Sequence, residues 1–371
     1  MEQRTYKLRD FAQDISVAVK DAQSHHLDKF VGLEHYDSGE PVITRYTDTS
    51  LITSSVKEFH KNDILIARRN VYLKRAGIAF FDGLTSGDSI ILRIFDDSEK
   101  RTGIPKEDAV KIIPLVLNSN DFWAYANKHA DGMNSKRISK EMLYDYEFSL
   151  PSLSEIRQLY SKLWAAYNLK EAYKKLLSAT DEMVKSQFIE MFSDVPKVGI
   201  NTLVDTIWGS SPDSKTYNDT GEGVPFYQGK TEFGDLYINS PVTFCTAPVK
   251  MAKANAILMS VRAPVGAVNI ATQDCCIGRG LASITPKEEK STTMFIYYAL
   301  KYMEEDIDRL GTGSTFKAIN KESYAKIQMP NAEISDQTKF VSIAEQADKS
   351  KFELRKSIEA IDAVIKSLIN S

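Results

Sequence analysis

Two stretches of this chain repeat one pattern, and that duplication constrains the fold more than any other feature. Residues 131–141 read DGMNSKRISKE and residues 312–322 read TGSTFKAINKE. Gly132 aligns with Gly313, Lys136 with Lys317, Ile138 with Ile319, and Lys140–Glu141 with Lys321–Glu322. A proline follows each stretch (Pro151, Pro330), and Gln158 and Gln337 stand at the same distance beyond the prolines. A long periodic segment then begins. Upstream, DILIARRN (63–70) matches AILMSVRA (256–263), and both read as a buried strand entering a turn that carries an Arg. Three matches in the same order in each half indicate a duplicated unit.

The two long segments read as helices with a seven-residue apolar repeat. In the first, Ile156, Leu163, Lys170, Leu177 and Val184 recur at that interval. In the second, Phe340, Ala347, Leu354, Ile361 and Leu368 do so. A sustained heptad keeps one seam toward a partner helix. Lys170 and the Ser, Thr and Gln residues on the seam weaken packing and suit a register-fixing role. The alternative is an amphipathic helix lying on a globular body.

The chain order gives these helices a direction. The first ends next to the second globular part and the second leaves that same part, so if they pair they run antiparallel. The expected architecture is α+β: two similar mixed α/β domains separated by an antiparallel two-helix coiled coil. The expected boundaries are a first domain at 1–150, a first spacer helix at 151–193, a second domain at 194–329 and a second spacer helix at 330–371. Within the second domain, 294–309 reads as a helix.

Charge narrows the ligand class. The 371 residues carry 47 Lys and Arg against 50 Asp and Glu, a net −3, so the chain is no globally basic binder. Locally it differs. Arg68, Arg69, Lys74 and Arg75 lie in an acid-free stretch, and Lys250, Lys253, Arg262, Arg279 and Lys287 face a single acid, Asp274, between 236 and 287. Basic surface on a near-neutral protein points to a polyanion met at defined places. Arg suits bidentate contact with guanine edges and phosphates. Lys136 and Arg137 in the first repeat, and Thr312, Ser314, Thr315 and Lys317 in the second, supply hydroxyls, cations and backbone N–H groups suited to phosphate. In VPFYQGKTEFG (224–234), Tyr227, Gln228 and Lys230 are candidate polar readers, although Phe226 and Tyr227 suit a core equally well.

Catalytic patterns are missing. The sequence holds no Walker loop, HExxH or GxSxG. It also lacks the Asn/Asp-Pro-Pro-aromatic motif and the FxGxG loop of amino-methyltransferases. Three cysteines form no disulfide framework and no His stands at finger spacing from them, so neither bridges nor zinc are expected. No apolar run reaches the ~18 residues of a membrane span, and MEQRTYKLRDF lacks a signal-peptide core. A cytoplasmic protein is expected.

The arrangement resembles the specificity subunit of type I restriction–modification systems over essentially the whole chain. The residues carrying the resemblance are DILIARRN, AILMSVRAPVGAV and GTGSTFKAINKESYAKIQMPNAEISDQTKFV (311–341). The first repeat departs from it, since DGMNSKRISKE lacks the Gly-Ser/Thr pattern. The resemblance implies two target-recognition domains reading a bipartite double-stranded DNA site in the major groove, with the helices as a ruler; the dissimilarity of the two domains points to an asymmetric site. It implies two methyltransferase (modification) subunits as partners, and restriction subunits through the complex. It implies no cofactor on this chain, with S-adenosylmethionine and Mg-ATP on the partners. A stand-alone bipartite DNA-binding regulator and a coiled-coil protein scaffold remain open alternatives.

Overall fold

The strand Ile64–Ala67 is buried at all four positions, and so is Ile257–Ser260. Such runs lack alternation because both faces of their sheets are covered. In the first case Ile64 and Ile66 face one core while Leu65 and Ala67 face another. In the second, Ile257 and Met259 face one core and Leu258 the other. The computed structural model describes residues 4–23, 25–133, 135–313 and 317–370. The chain divides into two units, Met1–Tyr173 with Ser357–Ser371, and Lys174–Lys356.

The first unit is mixed α/β. Its central sheet has the order Ala12–Asp14, Ser89–Ile94, Ile64–Ala67, Ala76–Ala79, Val42–Ile43. A second sheet contains the parallel pair Lys29–Val31 and Gly83–Ser86, and a two-stranded ribbon joins Arg4–Lys7 to Glu147–Leu150 antiparallel. Helices Lys106–Val116 and Asn120–His129 bury Ile112, Ile113, Phe122 and Trp123 against the central sheet.

The second unit repeats the first four places of that order. Val204–Trp208, Leu281–Pro286, Ile257–Ser260 and Val268–Ile270 form its central sheet. Val224–Tyr227 and Cys275–Ile277 are its parallel pair, and Lys197–Gly199 with Gln328–Pro330 its ribbon. The region 294–309 is two helices rather than one. Thr293–Tyr302 and Glu304–Arg309 are separated at Met303, which leaves the helical backbone at φ −98°, ψ 7°.

From the repeated hairpin to the end of the chain, equivalent residues differ by 181. Ser139 and Asn320 cap the short helices Lys140–Asp145 and Lys321–Ala325, accepting from Met142 N and Ser323 N at 3.2 and 2.8 Å. The long helices start at Leu153 and Ile334. This register corrects one sequence match. Gln158 is exposed, whereas Gln337 is buried and holds the backbone of Lys290, Thr292 and Ala332. The prolines are likewise not equivalent.

The long helices are Leu153–Phe192 and Ile334–Ile369. In the first unit Ile156, Leu163, Tyr167 and Ile365 are buried in one core, with Leu159, Ile361 and Leu368 packed at its edge. Lys170 meets Asp362 there, while Leu159 and Leu368 line a common recess, so the two helices run antiparallel. In the second unit Val184, Phe188 and Phe192 share a core with Phe340, Ala344 and Ala347. The Phe188 and Phe192 rings lie 5.3 and 5.7 Å from that of Phe340. Asp181 meets Lys351 in this unit, again antiparallel. Leu177 and Leu354 are only half-buried. The buried positions 184, 188 and 192 follow the helical period against a globular core rather than a strict heptad.

Candidate nucleic-acid interface

In each unit the central strand ends where three loops meet. In the first unit Arg68 N donates to Asp88 O at 3.1 Å, joining the strand end to the turn 86–88. Ile138 N donates to Arg68 O and Asn70 N to Lys136 O, at 3.1 and 2.8 Å, which joins it to the hairpin closed by Asp131 and Arg137. The second unit repeats every one of these bonds. Val261 N donates to Gly280 O at 2.9 Å, Ile319 N to Val261 O at 3.0 Å, and Ala263 N to Lys317 O at 2.8 Å. The hairpins close through Arg137 N to Asp131 O and Ala318 N to Thr312 O. Gly132 (φ 110°) and Gly313 (φ 106°) take the positive φ that a side chain would resist.

The register therefore equates Arg69 with Arg262, Asp88 with Gly280, and Lys136 with Lys317. The side chains at these shared positions differ. Arg69 Nε lies 2.6 Å from Asp88 Oδ2, whereas Gly280 offers no carboxylate to Arg262. Lys317 Nζ is paired with Asp308, whereas Lys136 is exposed. Among the described residues no ion pair is recorded for Lys136, Arg262 or Arg279.

The remaining sequence candidates fall into distinct settings. Arg75 is a brace. Its Nη1 and Nη2 donate to Leu33 O and Arg69 O at 2.9 and 3.0 Å, and burial holds its guanidinium below the ordinary Arg value. Lys74 is half-buried, with left-handed backbone at φ 50°. Arg68 and Arg137 are half-buried at the junction. Gln228, Lys230, Arg262, Arg279 and Thr312 are exposed. Gly278 N donates to Tyr227 O at 2.8 Å, which brings Gln228 beside the turn that carries Arg279. Tyr227 itself is core, and its hydroxyl donates to Asn239 O. Ser314 and Thr315 lie outside the described residues. Two of the basic residues in 236–287 are already engaged: Lys253 with Asp274, and Lys287 with Asn201 O.

Asp88 was invisible to sequence reasoning. Nineteen positions separate it from Arg69, and only the strand register brings the two together. Tyr72 and Leu73 also sit exposed in the turn after the strand, between left-handed Asn70 and Lys74. Two non-glycine left-handed residues flanking one turn are uncommon. Among the described residues no cluster of His, Cys, Asp or Glu is set to hold a metal, and no helix is long and apolar enough to cross a membrane.

Comparison with known proteins adds a family. A model of the type I restriction modification DNA specificity domain matches residues 195–362. A putative type I restriction enzyme MjaX specificity subunit from Methanocaldococcus jannaschii is 33% identical over 275 residues, 68% of this chain and 64% of that protein. The MjaIX specificity subunit of the same organism is 23% identical over 189 residues, covering 48% of this chain and 43% of that one. The chain thus spans less than two thirds of the length of either relative. Among solved structures, one described as the structural basis of complex assembly and conformational transition of the type I R-M system superposes with TM-score 0.63 at 24% identity, covering 99% of this chain and 96% of that one. The type I S subunit from M. genitalium superposes with TM-score 0.56 at 14% identity, covering 100% and 95%. These two establish likeness of fold.

Proposed function

The chain belongs to the type I restriction–modification specificity-subunit family, and from that premise we propose that it reads a bipartite, asymmetric DNA site for a methyltransferase complex. Each unit reads one half-site in a major groove with the three-loop junction at the end of its central sheet. The observation that carries this reading is the junction itself. The same backbone bonds recur in both units, while the side chains they present differ. A conserved frame with variable side chains is what two readers of different sequences require.

In this reading the recognition domains are 1–150 and 194–329, and 151–193 and 330–371 are spacer helices. A helix of 40 residues extends roughly 60 Å at about 1.5 Å per residue. A rigid two-headed binder fixes half-site spacing, as dimeric DNA-binding proteins do. The chemistry belongs to two methyltransferase subunits, and to restriction subunits that join through them. The target adenine is flipped into a partner's pocket, which accounts for a reader without catalytic groups of its own. S-adenosylmethionine and Mg-ATP bind those partners. The complex works in the cytoplasm.

Methylome sequencing of cells expressing this chain with its modification partner tests the proposal. One bipartite methylated motif, absent when the chain is deleted, is the expected result. Methylation that does not depend on the chain, or a motif in one contiguous block, overturns it.

A further inference from the structure

We propose that the two units place their phosphate contacts on opposite loops of the same frame: the hairpin in the first unit, the strand end and turn in the second. The inference rests on the DNA-reading function above and assigns individual residues within it.

The argument is a comparison of the chain with itself. At the strand end the structure equates Arg69 with Arg262, because Ala67 pairs with Ser89 and Ser260 with Leu281 in matching registers. The residue before Ser89 is Asp88, and the residue before Leu281 is Gly280. Arg69 is thus an arginine with a carboxylate 2.6 Å away, and the pair carries no net charge. Arg262 has glycine in the place of that acid. The turn also carries Arg279 where the first unit has Gly87. Both arginines of the second unit are exposed.

On the hairpin the pattern is inverted. Lys136 and Lys317 are equivalent by their shared backbone bonds. Lys317 is half-buried and paired with Asp308, whereas Lys136 is exposed. The residue 181 positions before Asp308 is Asn127, which is uncharged and bonds Trp123 O. Arg137 adds a second cation to the first hairpin, where the second has Ala318. Among the described residues each unit therefore pairs one of its two equivalent basic positions with an acid and leaves the other without an ion pair, and the unpaired position differs.

A neutral ion pair brought to a phosphate releases no net counterion, whereas a free cation releases about one. The slope of log affinity against log salt changes by about 0.9 per phosphate neutralised. In the assembled methyltransferase complex, bound to a duplex carrying the motif found by methylome sequencing, the variants should separate across the equivalences. R262A, R279A and K136A each flatten the slope by about one. R69A and K317A leave it unchanged. D88N, which frees Arg69, steepens the slope by about one, and adding R69A to D88N abolishes that gain.

Equivalent positions behaving alike, with R69A matching R262A or K136A matching K317A, overturns the inference. So does a D88N gain that survives R69A, or a D88N variant that changes the first half-site without changing the slope. Circular dichroism and retained assembly with the methyltransferase verify that each variant is folded. The failure of this inference differs from that of the function. Here the bipartite motif persists and only the crossed pattern of slopes is lost. If the function is wrong, no chain-dependent motif exists from which to build the duplex.

Discussion

Lys170 and Lys351 occupy equivalent positions in the two long helices, and each meets an aspartate at the equivalent position of the other helix. Lys170 Nζ lies 2.5 Å from Asp362 and Lys351 Nζ lies 2.7 Å from Asp181. Both lysines and both aspartates are 181 residues apart. Each lysine also meets a second acid, Glu40 for Lys170 and Asp348 for Lys351. Such buried ion pairs stabilise little in themselves, because desolvation offsets attraction, but removing one partner is costly. Lys170 is 2% exposed. Lys170→Ala should lower unfolding stability by about 3–5 kcal/mol. Lys351→Ala should cost less, about 1–3 kcal/mol, because its partner Asp181 stays more than half exposed to water. Urea titration followed by circular dichroism measures both, and equal small losses would show that the pairs are incidental.

A contrast between two glutamines checks the register of the repeat. Gln337 is 1% exposed, and its amide donates to Lys290 O and Ala332 O while its oxygen accepts from Ser291 Oγ and Thr292 N. Gln337→Ala strands those groups and should cost about 2–3 kcal/mol. Gln158→Ala, on an exposed helix face, should change stability by less than about 0.5 kcal/mol. Thermal melts of the two variants decide it, and similar losses would restore the equivalence suggested by the sequence.

That contrast shows where the sequence was legible. The duplication, the buried strands Ile64–Ala67 and Ile257–Ser260, and the long helices were readable because period and identity survive in the residues themselves. The glutamine match failed because a two-residue shift beside a proline leaves the pattern of letters intact while moving a side chain to another face. The helix read at 294–309 gave no warning of the break at Met303, since no glycine or proline marks it. The junction was half legible. Its basic residues stood out, but which of them are neutralised depends on Asp88 and Asp308, acids that register and folding bring in.

Asp108 gives the first unit a defined acid sensitivity. Burial pushes its carboxyl up, but hydrogen bonds from Arg157 at 2.8 and 3.1 Å and from Tyr160 at 2.6 Å outweigh burial and hold it below the ordinary value. A depressed carboxylate contributes stability above its unfolded pKa, about 3.9, and that contribution is lost as pH falls through the lower folded value. Asp108→Asn removes this dependence. The difference in urea midpoint between wild type and variant should be constant above about pH 5 and shrink below about pH 4. A difference independent of pH down to 2 would contradict the assignment.

Arg75 should act on DNA binding without touching DNA. It bonds the carbonyls of Leu33 and Arg69 and so fixes the strand end that carries Arg68 and Arg69. Arg75→Lys keeps the charge but cannot reproduce the two-pronged bond. Stability should fall by about 1–2 kcal/mol. Affinity for the motif duplex should fall several-fold with an unchanged salt slope. A slope flatter by about one would make Arg75 a phosphate contact instead.

Spacer length should follow helix length in steps. Between Lys170 and Asp181 in the first long helix, and between Lys351 and Asp362 in the second, no residue is buried, so equal insertions there leave both ion pairs in place. Seven residues added to each helix there preserve the faces presented on either side, because seven is close to two helical turns. The insertion lengthens each helix by about 10 Å, which is about three base pairs at 3.4 Å. The methylome of the double insertion should therefore show both half-sites unchanged and the gap between them longer by two to four base pairs. Insertion into one helix alone mismatches the antiparallel pair and should abolish methylation. A double insertion that methylates with the original gap would mean that the helices do not set the spacing and that a partner subunit does.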